Sequence, residues 1–138
     1  MEANSVAKPD FRVRPSSGQA APRVVIVEGD PEVCDSLKFS LEAEGFVVRV
    51  YGSGAELLRS SDIPVCDCLV IDQRTPDMTG MELIASLRGR NVLAPAILTI
   101  GNPSAAIAGR AALAGVAVVE KPLLGNTLAE QIRAACRH

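Results

Sequence analysis

The chain has 138 residues, which leaves room for one domain with one substantial core and not for two. Its formal net charge of −2, without a long basic run, gives no electrostatic case for nucleic acid, and no stretch reaches the roughly 18 apolar residues of a membrane span. The only histidine is the final residue, His138, which excludes a Ser-His-Asp or Cys-His catalytic arrangement, and the four cysteines (Cys34, Cys66, Cys68, Cys136) have neither disulfide-scaffold density nor metal-site spacing.

Residues 1–22 mix Pro, Ser, Ala and charge without a helical or strand period and read as a disordered leader. A secretory signal would need an apolar core of about 7 to 15 residues, and Phe11-Arg12-Val13-Arg14 interrupts any such run. The thiols therefore read as reduced and structural, and the protein as soluble and cytoplasmic.

From Arg23 to the end, strand and helix signals alternate. Val24-Val25-Ile26-Val27 is a β-branched run too short for a helix, ending at Glu28. Asp30-Pro31-Glu32 then supplies an N-cap, a proline at the first helical position and an acid in the first turn. Val33, Leu37 and Leu41 recur every four residues, and Gly45 closes the helix where a left-handed residue is wanted.

Phe46 to Tyr51 reads as the second strand, with Arg49 pointing to a place near the sheet edge. Ser53-Gly54-Ala55-Glu56 has the spacing of a capping box and opens a short helix that stops before Pro64. Leu69 to Asp72 is the third strand, and Met81, Ile84 and Leu87 mark the third helix. Ala96 to Ile100 is the fourth strand, after which Asn102-Pro103 caps a helix ending at Gly115. Val116 to Val119 is the fifth strand, and Asn126 caps a last helix carrying Leu128, Ile132 and Cys136.

Five strands alternating with five helices imply an α/β domain over residues 23–138, with a parallel sheet covered on both faces. Continuous rather than alternating apolar runs support that burial. In such a sheet all strand ends of one kind lie on one edge, where ligands bind.

Asp72 ends the third strand, Glu28 follows the first with Asp30 close behind, Ile100-Gly101 end the fourth and Glu120-Lys121-Pro122 the fifth. Singly, Glu28 and Lys121 read equally well as a structural ion pair, and Asp72 as a helix-capping acid. Gathered on one edge, the acids and the lysine suit a small hard cation beside an oxyanion, because Mg²⁺ takes one or two carboxylates and phosphate oxygens while lysine acts on phosphate as a point charge.

With those residues in place, residues 23–137 resemble a response-regulator receiver domain, the aspartate-phosphorylated module of two-component signalling. The resemblance rests on Val27-Glu28, on Asp72 followed by Pro76-Asp77-Met78-Thr79-Gly80, on Ala114-Gly115 and on Lys121-Pro122. It implies a flavodoxin-like, doubly wound five-stranded sheet of strand order 2-1-3-4-5. It also implies phosphoryl transfer to Asp72 from a histidine kinase or phosphotransfer protein, with Lys121 as the phosphate partner. Glu28, Asp72 and the backbone carbonyl of Arg74 would be Mg²⁺ ligands, the Lys121-Pro122 peptide cis, and the surface of the fourth helix, fifth strand and fifth helix a site of homodimerisation or partner contact.

Three positions depart from the family pattern. A second acid normally follows Glu28, but Gly29 stands there, which weakens Mg²⁺ binding; Asp30 is a substitute ligand in candidate only, since its context makes it the helix cap. Where a serine or threonine normally ends the fourth strand there is Ile100, and Thr99 beside it faces the other side of the sheet. A lost hydrogen bond to a charged phosphoryl oxygen forfeits about 1.5–3 kcal/mol. The aromatic switch residue of the fifth strand is replaced, its nearest match being Val118.

Two readings within the family follow: a phosphorylatable receiver with an atypical switch, and a pseudo-receiver that binds protein partners whatever its phosphorylation state. Neither calls for metabolic catalysis beyond self-phosphorylation and self-dephosphorylation, or for nucleic-acid or membrane binding. A small Rossmann-like or aspartate-nucleophile enzyme is disfavoured. The chain lacks a Gly-x-Gly-x-x-Gly loop after the first strand, a second acid two residues after Asp72, and room for a cap domain.

Overall fold

A computed structural model describes residues 21–60, 63–123 and 127–137. Most of the leader expected over 1–22, and the helix cap expected at Asn126, lie outside the described residues. The strands are β1 (Arg23–Val27), β2 (Val47–Tyr51), β3 (Cys68–Asp72), β4 (Ala96–Ile100) and β5 (Ala117–Glu120). The helices are α1 (Pro31–Ala43), α2 (Gly54–Leu58), α3 (Gly80–Gly89), α4 (Ala105–Leu113) and α5 (Thr127–Ala135), with a 3-10 turn at Ile63–Val65.

All strand pairs are parallel and the sheet order is β2-β1-β3-β4-β5, as the resemblance implied. The three central strands are buried at every position, whereas β2 and β5 are buried only in part. This is why the first, third and fourth strand segments read as unbroken apolar runs, and why Arg49 is accommodated at the β2 edge.

The alternation of side chains along each strand divides the core in two. Val25, Val27, Leu69, Ile71 and Leu98 pack with Leu57 of α2, with Leu83, Ile84 and Leu87 of α3 and with Ala111 of α4. Val24, Ile26, Cys68, Val70, Ile97 and Val119 pack with Leu37 and Leu41 of α1 and with Leu128 and Ile132 of α5. Glu28 and Asp72 continue the period of this second set (24, 26, 28 and 68, 70, 72), so the two acids are delivered to one side of the sheet at its C-terminal edge.

The local signals hold in most places. Asp30 caps α1 by accepting the Glu32 N–H at 2.9 Å with Pro31 next, and Gly45 past its end adopts φ 98°. The buried positions of α1 are Cys34, Leu37 and Leu41, with Val33 half-buried at the margin of the stripe.

Several details differ from the sequence expectation, beyond shifts of one or two residues at the ends of elements. Ser53 accepts the Glu56 N–H, but Glu56 Oε1 takes the N–H of Gly52 at 3.0 Å rather than that of Ser53, so the reciprocal half of the box is displaced by one residue. The full capping box belongs to Thr79 and Glu82 at the start of α3. The cap of α4 is Ser104, whose hydroxyl accepts the Ile107 N–H, and not the Asn102-Pro103 pair before it. Strand β5 lies one residue later than expected because Glu120 pairs with Ile100 in the ladder. Helix α5 ends at Ala135, which leaves Cys136 just beyond it.

Helix α4 is the least embedded of the longer helices, since Ala111 is its single buried residue. Leu113 at its end is 91% exposed, and Val118 on the adjoining strand is 39% exposed.

Candidate functional site

Parallel pairing and register bring three charged side chains from separate strands to one point. Glu28 directly follows β1 and extends its ladder, its N–H bonding Tyr51 O at 3.0 Å. Asp72 is the last residue of β3, and Lys121 follows β5 with its own N–H on Ile100 O at 2.8 Å. The Lys121 Nζ lies 3.1 Å from Glu28 Oε1 and 3.1 Å from Asp72 Oδ2. The Lys121-Pro122 peptide is cis.

Both acids are nearly buried, at 4% and 6% exposure, so the shared ammonium is what makes their charges tolerable there. Burial alone would lower the Lys121 pKa, but the hydrogen bonds and charges of Glu28 and Asp72 outweigh it and leave the pKa raised. The remaining oxygens differ. Glu28 Oε2 accepts the Asp30 N–H at 3.2 Å, while Asp72 Oδ1 has no hydrogen-bond partner among the described residues. Asp72, Arg74, Ile100, Asn102, Ile107 and Lys121 line a cleft of about 540 Å³, so the unengaged side of the Asp72 carboxylate opens onto space.

The loop between β3 and α3 is held on both flanks. Gln73 N–H bonds Thr99 O and Gly80 N–H bonds Gln73 O, each at 2.9 Å, while Arg74 and Thr79 form a bridge and the Thr75 hydroxyl donates to Met78 O. Gly80 fits because a Cβ there would stand 2.7 Å from Asp72 O and 2.6 Å from Leu98 Cδ1.

On the far flank, the Asp77 carboxylate accepts the N–H groups of Gly54 and Ala55 at the start of α2, at 3.1 and 2.8 Å. Those hydrogen bonds, the one from Ala55 foremost, hold its pKa below the usual carboxylate value. Met78 closes on the same point, where a Cβ on Gly54 would come within 2.7 Å of its sulfur. In sequence, Asp77 stood out only as part of the Pro76-Asp77-Met78-Thr79-Gly80 stretch. Its partners lie 22 and 23 residues earlier, and no local pattern announces them.

Each departure has a definite place. Gly29 is exposed beside Glu28, and a Cβ on it would stand 3.2 Å from Cδ of Pro76. Asp30 is engaged as the α1 cap. Ile100 lines the cleft, whereas Thr99, the register partner of Asp72, is 2% exposed and lines none of it. Val118 stands at the surface of β5.

The two carboxylates, Glu28 and Asp72, stand at adjacent strand ends and suit a hard divalent cation only sparsely, since most of its shell would have to come from other oxygens. Among the described residues no cluster of three or more His, Cys, Asp or Glu side chains is arranged to hold a metal.

Residues 24–133 match the family model described as response regulator receiver domain. The transcriptional regulatory protein FixJ of Rhizobium meliloti is 34% identical over 116 residues, covering 83% of this chain and 57% of that protein. The C4-dicarboxylate transport transcriptional regulatory protein DctR of Rhodobacter capsulatus is 31% identical over 110 residues, covering 78% and 56%. The chain thus spans a little over half the length of these relatives. Among solved structures, FixJ-N superposes with a TM-score of 0.74 at 32% identity, covering 85% of this chain and 94% of that one. A CheY-like receiver domain protein from Methanospirillum hungatei gives 0.76 at 28% identity, covering 84% and 94%.

Proposed function

The chain belongs to the response-regulator receiver family of two-component signalling, and on that premise we propose that Asp72 accepts a phosphoryl group from a histidine kinase or phosphotransfer protein. The observation that carries this reading is the Asp72 carboxylate itself, held by Lys121 Nζ through Oδ2 at 3.1 Å and left open to the cleft on its other side.

In that reaction an Asp72 oxygen attacks phosphorus in line while the P–N bond to the donor imidazole breaks, and the imidazole leaves. Lys121 shifts its hydrogen bond from the carboxylate to a phosphoryl oxygen and holds the developing negative charge. The β3–α3 loop keeps Asp72 and the Arg74 carbonyl in place through the Gln73 and Asp77 contacts. Receiver domains use Mg²⁺ at this acidic pocket; here Glu28, Asp72 and the Arg74 carbonyl would hold it, and it supplies positive charge against acid–phosphate repulsion. With Gly29 in place of a direct carboxylate, that affinity is reduced.

The signal leaves by an altered route. Ile100 offers no hydroxyl to the phosphoryl group and Val118 no ring to follow it, so readout falls to the α4–β5–α5 face, with exposed Leu113 and Val118, as the contact for a second copy or a partner. The module is a signalling domain of the cytoplasm with no metabolic turnover. Among the described residues no helix is long and apolar enough to cross a membrane. A second reading, a pseudo-receiver whose contacts are independent of phosphorylation, is favoured by the joint loss of acid and hydroxyl at Gly29 and Ile100.

Incubation with a small acyl or amido phosphate and Mg²⁺, followed by intact mass measurement of wild type and Asp72→Asn, separates the two. A phosphate-sized gain confined to wild type supports the first. No gain at high Mg²⁺, even with a phosphorylated histidine kinase as donor, leaves the second.

A further inference from the structure

At the edge of the sheet opposite Asp72, thiols gather around one ion pair. Cys66 and Cys68 flank Asp67 where β3 begins, and Asp67 is held by Arg23 through its N–H at 2.7 Å and its Nε at 3.0 Å. Cys136, just past α5, arrives at the same place from the other end of the chain. Its Sγ lies 3.7 Å from Asp67 O, the carbonyl that immediately precedes Cys68 in the chain. Both side chains belong to the core between the sheet and helices α1 and α5, Cys68 at its floor with no exposure and Cys136 half-buried at its rim. The other two cysteines point elsewhere. Cys66 packs in the core on the opposite face, and Cys34 is on the buried side of α1 with its thiol on Glu28 O at 3.1 Å.

We propose that Cys68 and Cys136 are a site of reversible intramolecular disulfide formation, with a peroxide as the two-electron oxidant. Cys136 is the attacking thiol because it is the accessible member of the pair. The neighbouring Cys68 thiol holds its pKa below that of an ordinary thiol despite burial and the nearby Asp67 charge. That same pairing, with burial, pushes the Cys68 thiol up, so Cys68 stays protonated until it is needed. Burial and Asp67 likewise push Cys66 up to about 12, which keeps it silent.

The Cys136 thiolate attacks one peroxide oxygen, the O–O bond breaks, and the departing hydroxide takes a proton to become water; sulfur is oxidised to a sulfenic acid and peroxide is reduced. Cys68 then attacks the sulfenic sulfur, an S–S bond forms, and the S–O bond breaks. The leaving hydroxide takes the Cys68 proton and departs as a second water. The balance is two thiols and one peroxide to one disulfide and two waters. The product fastens the end of α5 to the start of β3, and a dithiol reductant reverses it.

The test is a hydrogen peroxide titration of the full chain, quenched with N-ethylmaleimide and read by intact mass and peptide mapping. The expected result is the loss of two hydrogens, two fewer maleimide adducts, and a Cys68–Cys136 linked peptide that forms equally in Cys66→Ser and never in Cys136→Ser. The oxidised wild type should also unfold at a higher urea midpoint than the reduced form, with no such gain in Cys136→Ser. A bridge through Cys66 or Cys34, over-oxidation of Cys136 with Cys68 left as a free thiol, or an intact thiol pair at peroxide levels that convert Met78 to sulfoxide would each overturn the proposal.

Discussion

Lys121 and Glu28, 93 residues apart in sequence, are joined by a 3.1 Å hydrogen bond from Nζ to Oε1 across the C-terminal edge of the sheet. The same ammonium reaches Asp72, so one cation neutralises two acids that are almost entirely removed from water. Lys121 therefore supports the resting fold, and under the proposed phosphoryl transfer it has a second role, capture of the incoming anion.

Replacing the ammonium by an uncharged chain of similar reach tests the first role. Lys121→Met should lower stability at pH 7 by about 1–3 kcal/mol, below the usual cost of breaking a buried pair because Lys121 itself is partly exposed. The Lys121 pKa is raised above 10.5, so its contribution is fully present below that value and lost as pH rises through the higher folded one. Urea unfolding of both proteins should give a gap that narrows at strongly alkaline pH; equal midpoints at pH 7 would show that the pair contributes nothing.

Asp77 makes the opposite pH prediction. Its carboxyl is held below 3.8, so its stabilisation is present above that value and disappears as pH falls through the lower folded one. Asp77→Ala should therefore unfold earlier than wild type at pH 7 and together with it once both are fully protonated. Amide exchange at Gly54 and Ala55 should speed up selectively, and unchanged protection there would exclude the clamp.

Gly29→Asp adds the missing carboxylate. Its Cβ meets Pro76 at 3.2 Å, a contact the ring relieves by moving a few tenths of an ångström. Calorimetric titration should show Mg²⁺ binding about tenfold tighter, equivalent to roughly 1.4 kcal/mol. An unchanged affinity would mean that position 29 does not face the acidic pocket.

Ile100→Thr trades apolar surface for a hydroxyl at the cleft wall. Loss of buried carbon should cost about 1–2 kcal/mol of stability. A hydrogen bond to a charged phosphoryl oxygen is worth about 1.5–3 kcal/mol, so phosphorylated protein should accumulate to a higher fraction at a fixed dose of phosphodonor. A variant that is destabilised without any gain in phosphorylated fraction would place Ile100 outside phosphoryl recognition.

What the sequence made legible were features with a local cause. Ala96–Ile100 read as a strand to the residue because it is an apolar run between Pro95 and Gly101, and Asp30-Pro31 announced α1 through cap chemistry. Strand order came only through resemblance, since periodicity along a strand carries no information about its neighbours. The cap of α4 was misplaced because Asn102, Pro103 and Ser104 are all favourable near a helix start, and only the hydroxyl that reaches Ile107 N–H decides among them. At the site, Asp72, Glu28 and Lys121 were recoverable because strand ends share an edge. The Asp77 clamp was not, because it joins a loop to the first turn of a helix more than 20 residues earlier, with no common period.

Helix α4 has a consequence for dynamics. An alanine methyl returns little free energy on burial, whereas a fully buried leucine or isoleucine such as Ile132 of α5 returns about 1.5–3 kcal/mol. Anchored by Ala111 and the partly buried Ile107, α4 occupies the low end of the local stability range, and its amides should exchange early with solvent deuterium. A detached or rotated α4 is then only a small free-energy step from the resting arrangement, which allows a weak event at the strand ends to redistribute the helix without a threonine or an aromatic ring to carry it.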